Sequence, residues 1–179
     1  GEEGVSVIPV YFQLKFLEFV PRTDGGGFVG ELSAKSDEVK KAVRDQSSGL
    51  EILDSGNELV RTAQHYVKIV HDDGTLESAI MDPKKTQLKK SRMWLSMMSM
   101  QKLNGKTLPS FANTYRLKTV PDGNDKGKWQ SWSIALEGLV PSIEAYNEAK
   151  EWKPASLNIL LPPDEMVPVT DQSAEDVPF

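Results

Sequence analysis

The chain has 179 residues, 39% hydrophobic and 26% charged, with a formal net charge of −5 and no cysteine. That describes a soluble globular protein with room for one sizeable domain and a tail. Lack of cysteine excludes disulfides, thiolate zinc sites and cysteine nucleophiles, and it fits a reducing cytoplasm, that of a bacterial host if the chain is phage-encoded. No apolar run is long enough to span a bilayer, and no basic-then-apolar start is present, so neither a membrane partner nor secretion is expected.

The opening stretch, Val5 to Phe19, alternates with period two. Ile8, Val10, Phe12, Leu14 and Phe16 fall on one face, which predicts a long strand bent near Pro9 or at Phe16-Leu17. Thr23-Asp24-Gly25-Gly26-Gly27 is a loop; no Lys-Ser/Thr follows it, so it is not a phosphate cradle. Phe28–Leu32 reads as a short strand. Ser36 is placed to cap a short helix reaching about Arg44, with acids in its first turn. Leu50–Leu53 reads as an edge strand before a turn at Ser55-Gly56-Asn57. Leu59–Val70 and Leu76–Met81 form a hairpin about Asp72-Asp73-Gly74.

Asp82 as cap and Pro83 at the first helical position then predict a helix running to Met98. Leu88, Leu95 and Met98, with Met93, Trp94 or Met97, are its expected buried stripe. Lys85, Lys89 and Arg92 fall at i, i+4 and i+7, on one face. From Lys84 to Lys102 the chain carries only basic charges, its densest positive stretch. Phe111–Val120 and Lys128–Ile134 pair as a second hairpin around a long loop, Pro121 to Gly127. Pro141-Ser142 opens a helix over Ile143–Trp152 that Pro154 ends. Ala155–Leu161 is a last strand or an extended segment.

These elements predict a mainly β (α+β) fold. The expected form is an antiparallel β-barrel like the oligonucleotide-binding (OB) fold, with extended hairpins, one basic helix and a C-terminal helix. A β-sandwich with a helical insertion is the alternative. The domain plan is a body over residues 1–161 and an acidic, disordered tail over 162–179.

That tail takes five of the 26 acids, Asp164, Glu165, Asp171, Glu175 and Asp176, and none of the 21 bases. The body is therefore neutral overall, with its bases clustered. Holding a single strand without reading sequence requires cations spaced to track phosphates and aromatic faces on which bases stack. The candidates for a nucleic-acid-binding site are Lys85, Lys89 and Arg92 on the helix. The hairpin adds Tyr115, Arg116, Lys118, Lys126, Lys128, Trp129 and Trp132. Trp129 and Trp132 differ by three positions, so one is expected inside and one outside.

Catalytic chemistry is not indicated. His65 and His71 stand six residues apart on one strand, too far to chelate one ion, and His71-Asp72-Asp73 is explained by turn chemistry. No nucleophile elbow or paired carboxylates appear, so no enzyme, metal or cofactor is expected.

The tail closes on Ala174-Glu175-Asp176-Val177-Pro178-Phe179. A Phe ring beside carboxylates suits an apolar pocket rimmed by Arg or Lys. This ending resembles the C-terminal tip of bacterial-type single-stranded DNA-binding proteins, in which acids precede an apolar residue, Pro and Phe. The resemblance covers the last six residues, with Glu175-Asp176 in place of a longer acidic run; the body shows no family motif. It implies that Asp176, Val177, Pro178 and Phe179 recruit replication and recombination proteins to DNA coated by the body. An acidic tail of this kind can also fold back onto a basic groove. A homodimer is a possible assembly. A protein-interaction or virion structural module with a docking tail is the alternative function, and a nuclease with a dispersed acidic site is a third.

Overall fold

The structure, a computed structural model, describes residues 3–125 and 127–152. Of the described residues 50% are strand and 23% helix, a mainly β, antiparallel fold consistent with the OB-like barrel expected from the sequence. The strands are β1 (Val5–Val20), β2 (Gly27–Leu32), β3 (Val43–Arg44), β4 (Glu51–Ile52), β5 (Glu58–Val70), β6 (Leu76–Met81), β7 (Lys102–Leu103), β8 (Lys106–Thr107), β9 (Asn113–Asn124) and β10 (Gly127–Leu139). Three α-helices accompany them: α1 (Asp37–Lys41), α2 (Leu88–Ser99) and α3 (Ile143–Glu151). The described residues divide into two compact units, and β1 and β5 each contribute to both.

In the first unit the strand order is β10-β9-β1-β5, with β6 also on β5. Its central strands are buried on both faces. Val7, Val67, Tyr115 and Leu117 turn to one side, where Trp94 and Met98 of α2 close a core. Ile8 turns to the other, where Ala145, Tyr146 and Ala149 of α3 close a second. Burial on both sides explains why Val7, Ile8 and Pro9 are consecutive buried residues, where the alternation predicted a single buried face. α3 begins as the sequence suggests, with the Ser142 hydroxyl accepting from Ala145 N at 3.1 Å. Lys68, nearly buried on β5, donates to Glu148 Oε1 at 2.9 Å and lies 5.7 Å from the Trp152 ring, fixing α3 to the sheet.

In the second unit, β2 pairs with β1 and β3 pairs with β4, which pairs with β5. Phe16, Val39, Leu53 and Leu59 form its core. Ser36 caps α1, accepting from Val39 N at 3.3 Å. α1 stops at Lys41, short of the predicted Arg44, because Val43 and Arg44 pair with Ile52 and Glu51.

α2 starts later than the sequence suggests. Thr62 bridges to Lys84 and Ala63 N donates to Pro83 O at 2.9 Å. The extended backbone after β6 therefore continues alongside β5 through the predicted cap and first turn. Lys85 then takes a φ of 50°, a left-handed value that an α-helix cannot contain. One short 3-10 turn, Lys85–Gln87, leads into the α-helix.

The buried stripe of α2 is Ser91, Trp94 and Met98, a polar residue included. His65 on β5 explains it: its Nε2 hydrogen-bonds with Ser91 Oγ at 2.7 Å. The imidazole also stacks on Trp94 with centroids 4.8 Å apart and tilts against Phe12 at 4.9 Å. Burial lowers the His65 pKa to about 4. A depressed histidine pKa means that the folded state holds the neutral ring. The contribution is complete above the unfolded value near 6.5 and is lost as pH falls toward 4. Denaturant melts across that window are expected to lose on the order of 2–3 kcal/mol from this group. His65→Gln, which cannot protonate there, is expected to be less stable at pH 7 and to show a shallower decline.

Candidate nucleic-acid interface

The β9–β10 ribbon is longer than the sequence suggests. Pairing runs unbroken from Ile134↔Leu117 out to Gly127↔Asn124, through the segment expected as a loop. Pro121 and Gly123 discourage a strand reading, yet Gly123 is needed here: a Cβ at this position would crowd Gly127 O across the ribbon. β1 pairs with β9 only at Val5 to Val7, opposite Leu117 to Tyr115.

Register assigns each candidate side chain to a face, since cross-strand partners share a side. Tyr115, Leu117 and Thr119 lie with Leu136, Ile134 and Trp132. Trp132 and Ile134 pack against the core that contains Trp94, so this is the face that carries α2. Lys128 continues the same side toward the tip. The opposite face presents Arg116, Lys118 and Trp129, paired with Ala135, Ser133 and Asp122. Trp129 and Trp132 do point to opposite sides, but both are half-buried, where one inside and one outside were expected.

Several candidates change role. Tyr115 is fully buried, set edge-on against Trp94 at 5.7 Å, and burial pushes its pKa up to about 12. It is a core residue with no face for a base, because its strand neighbours lie under α2. Arg116 is engaged: its Nε and Nη2 hold Glu137 Oε1 at 2.7 and 2.6 Å, and Ser6 Oγ donates to Glu137 Oε2 at 2.6 Å. Lys85 is not on the helix with Lys89 and Arg92. It precedes α2 in the second unit, 3.9 Å from Glu58. Lys126 and the tip, Asp176 to Phe179, lie outside the described residues.

What remains is a set of cations with no ion pair among the described residues: exposed Lys89 and Arg92 on α2, Lys128 at the ribbon tip, and half-buried Lys118 on the far face. Lys89 stands in the first turn of α2, and that turn contains no acid. Basic side chains there oppose the helix macrodipole, each at a cost of a few tenths of a kcal/mol to about 1 kcal/mol, and reinforce its positive end. An anion brought to this end of α2 meets the side chains and the dipole together.

Two features escaped the sequence reading. Met93 and Met100 are 54% and 67% exposed, where packing was expected of the methionines; Met97 between them is half-buried and packs against the core that contains Trp94. They and Lys89, Arg92 and Ser96 line a shallow concavity of about 450 Å³. The signal was their spacing at i, i+4 and i+7, masked by the competing stripe of Trp94 and Met98. In the second unit Phe28 is 62% exposed and sits edge-on to Phe19 at 5.5 Å, at a register that the bulge between Glu18 and Phe19 sets.

The histidines hold no ion together: His65 is buried on Ser91, while His71 lies 3.0 Å from Glu77. Asp73 shapes the turn, accepting from Thr75 N at 2.9 Å. Among the described residues no group of three His, Asp or Glu converges as metal ligands, and no helix is long and apolar enough to cross a membrane.

Over residues 1–155 the chain matches the model of the Pam3 phage gp34-like proteins, and it belongs to that family. No curated protein and no solved structure matches it.

Lys118 is held by a close backbone approach. Gly4 takes a φ of 75°, and a Cβ there would overlap the Leu117 carbonyl and the Lys118 side chain. Gly4→Ala is expected to cost at least about 2 kcal/mol in a thermal or denaturant melt. Gly56→Ala, at a similar φ of 85° but with open space around it, is expected to cost only the backbone strain of about 1–2 kcal/mol.

Proposed function

We propose that this phage-family protein is a non-enzymatic, non-sequence-specific single-stranded DNA-binding protein acting in replication or recombination. Its body coats the strand, and its acidic C-terminal tip recruits partner proteins. The observation that carries the reading is the placement of Lys89 and Arg92, with no ion-pair partner among the described residues, toward the positive end of α2, where they favour an anion. Lys128 and Trp132 lie on the same side of the sheet as α2, supplying a further phosphate contact and a partly exposed ring. Lys118 and Trp129 make a smaller pair of the same kind on the other face. The strand is bound in the bacterial host cytoplasm on this reading. The second reading, a protein-interaction or virion structural module, draws its support from the exposed methionines.

The test is titration of the full chain with a dT oligonucleotide, followed by tryptophan fluorescence at two salt concentrations. Quenching is expected, with affinity that falls steeply as salt rises. Lys89→Glu with Arg92→Glu is expected to weaken binding at least about tenfold and to flatten the salt dependence, because each phosphate contact adds about one to the slope. Absence of binding at low salt, repeated with Val177-Pro178-Phe179 deleted to remove self-blocking, overturns the DNA reading and leaves the structural module.

A further inference from the structure

The end of the β1–β2 hairpin turns rings to solvent where alternation would bury one. At the hairpin base, Phe16 and Leu32 pair within the core of the second unit. Glu18, two residues on, faces the same way and accepts from Ser55 Oγ at 3.1 Å and Asn57 Nδ2 at 2.6 Å. Strict alternation would carry that side of β2 from Leu32 through Gly30 to Phe28. The bulge breaks the pattern: Val29 is the extra residue, and Phe28 falls opposite Phe19 rather than Val20. Phe28 is left 62% exposed and Val29 51%, with the Phe19 ring edge-on to Phe28 at 5.5 Å. Bulges of this kind re-aim side chains and gather next to functional sites. Phe28 gives up the burial that alternation offers it, the kind of local conflict that marks a residue retained for binding.

We propose that Phe19 and Phe28 form a platform on which one base of a bound single strand stacks. The site rests on the DNA-binding reading above and is separate from the basic helix, which belongs to the first unit, as do Trp129 and Trp132. Size selects the ligand. A stable protein interface takes about 20–30 residues a side, and two rings flanked by one valine fall far short of that. A single base matches the face of one ring, and stacking holds it whatever its identity. Charge selects in the same direction. Arg22 and Asp24 lie in the turn that joins the two strands and cancel one another, so the platform has no net charge with which to hold a phosphate or a carboxylate. It contributes stacking with little salt dependence, whereas Lys89 and Arg92 contribute the salt-dependent part.

The test is anisotropy of a 5′-fluorescein dT oligonucleotide titrated with the full chain. This readout does not rely on tryptophan, which the second unit lacks. Three variants separate a stacking ring from apolar bulk: Phe28→Ala, Phe28→Leu and Phe28→Trp. The first two are each expected to weaken binding roughly 5- to 150-fold, the loss of one stacked base. Phe28→Trp is expected to bind at least as tightly as the unmodified chain. None is expected to change the salt slope, which Lys89→Glu with Arg92→Glu flattens. An abasic oligonucleotide of the same length keeps the phosphates and lacks the bases. On it, Phe28→Ala is expected to bind as the unmodified chain does. A thermal melt of each variant checks folding, which an exposed side chain does not decide. Full affinity in Phe28→Leu, or a loss in Phe28→Ala that persists on the abasic oligonucleotide, overturns the platform while DNA binding stands. No binding by the unmodified chain at low salt, with Val177-Pro178-Phe179 present or deleted, overturns the DNA reading and the platform with it.

Discussion

One buried hydrogen bond decides how α2 meets the rest of its unit. His65 holds Ser91 from β5 and stacks on Trp94, so the helix is fixed in rotation with Ser91, Trp94 and Met98 inward. Everything that the helix presents to solvent follows from that choice: Lys89, Arg92, Met93 and Met100 are outward because Ser91 is inward. A rotation burying Met93 in place of Ser91 would gain apolar area but leave His65 without its partner. An unsatisfied buried group of that kind costs about 1–3 kcal/mol. The neutral imidazole is therefore as much a structural element as the indole beside it.

The outward face carries an electrostatic cost that the inward face offsets. Basic residues at the start of a helix work against its dipole, and α2 has no acid in its first turn to compensate. Packing of Trp94 and Met98 supplies the stability that local propensity lacks. What results is a concentrated positive potential on a rigid support. Phosphates and carboxylates are rivals for such a site, so a strand and an acidic segment drawn to the same cations would exclude each other in a salt-dependent way.

The two-sided burial of the central strands shapes the rest. Because α2 covers one face of the sheet and α3 the other, the aromatic candidates on the sheet keep part of their rings at the surface only where the β9–β10 ribbon extends beyond its pairing with β1. That is where Trp129, Trp132 and Lys128 are found, and it is why Tyr115, on the same strand pair but under α2, lies in the core. The ribbon also divides the candidates between two sides, so the basic helix and Lys118 do not share one surface.

Period-two alternation, turn chemistry and caps made much of the fold legible from sequence: β1, β5 and β6 appear nearly where alternation places them, Ser36 caps the helix it was expected to cap, and the last helix starts after Pro141-Ser142 as expected. Such signals are local, since backbone geometry and side-chain reach within a few residues determine them. The late start of α2 was not legible, because Pro83 and Lys84 lie extended along β5, a partner far away in sequence. Lys85 was lost from the basic face for that reason, and Tyr115 from the stacking set because only tertiary packing distinguishes a ring under a helix from one at a ribbon edge. The sequence by itself determined the elements, the basic stretch and the opposite charge of its last residues. Tertiary structure alone decided which side of each element is buried, because that depends on contacts between segments whose separation in the chain carries no information about their distance in space.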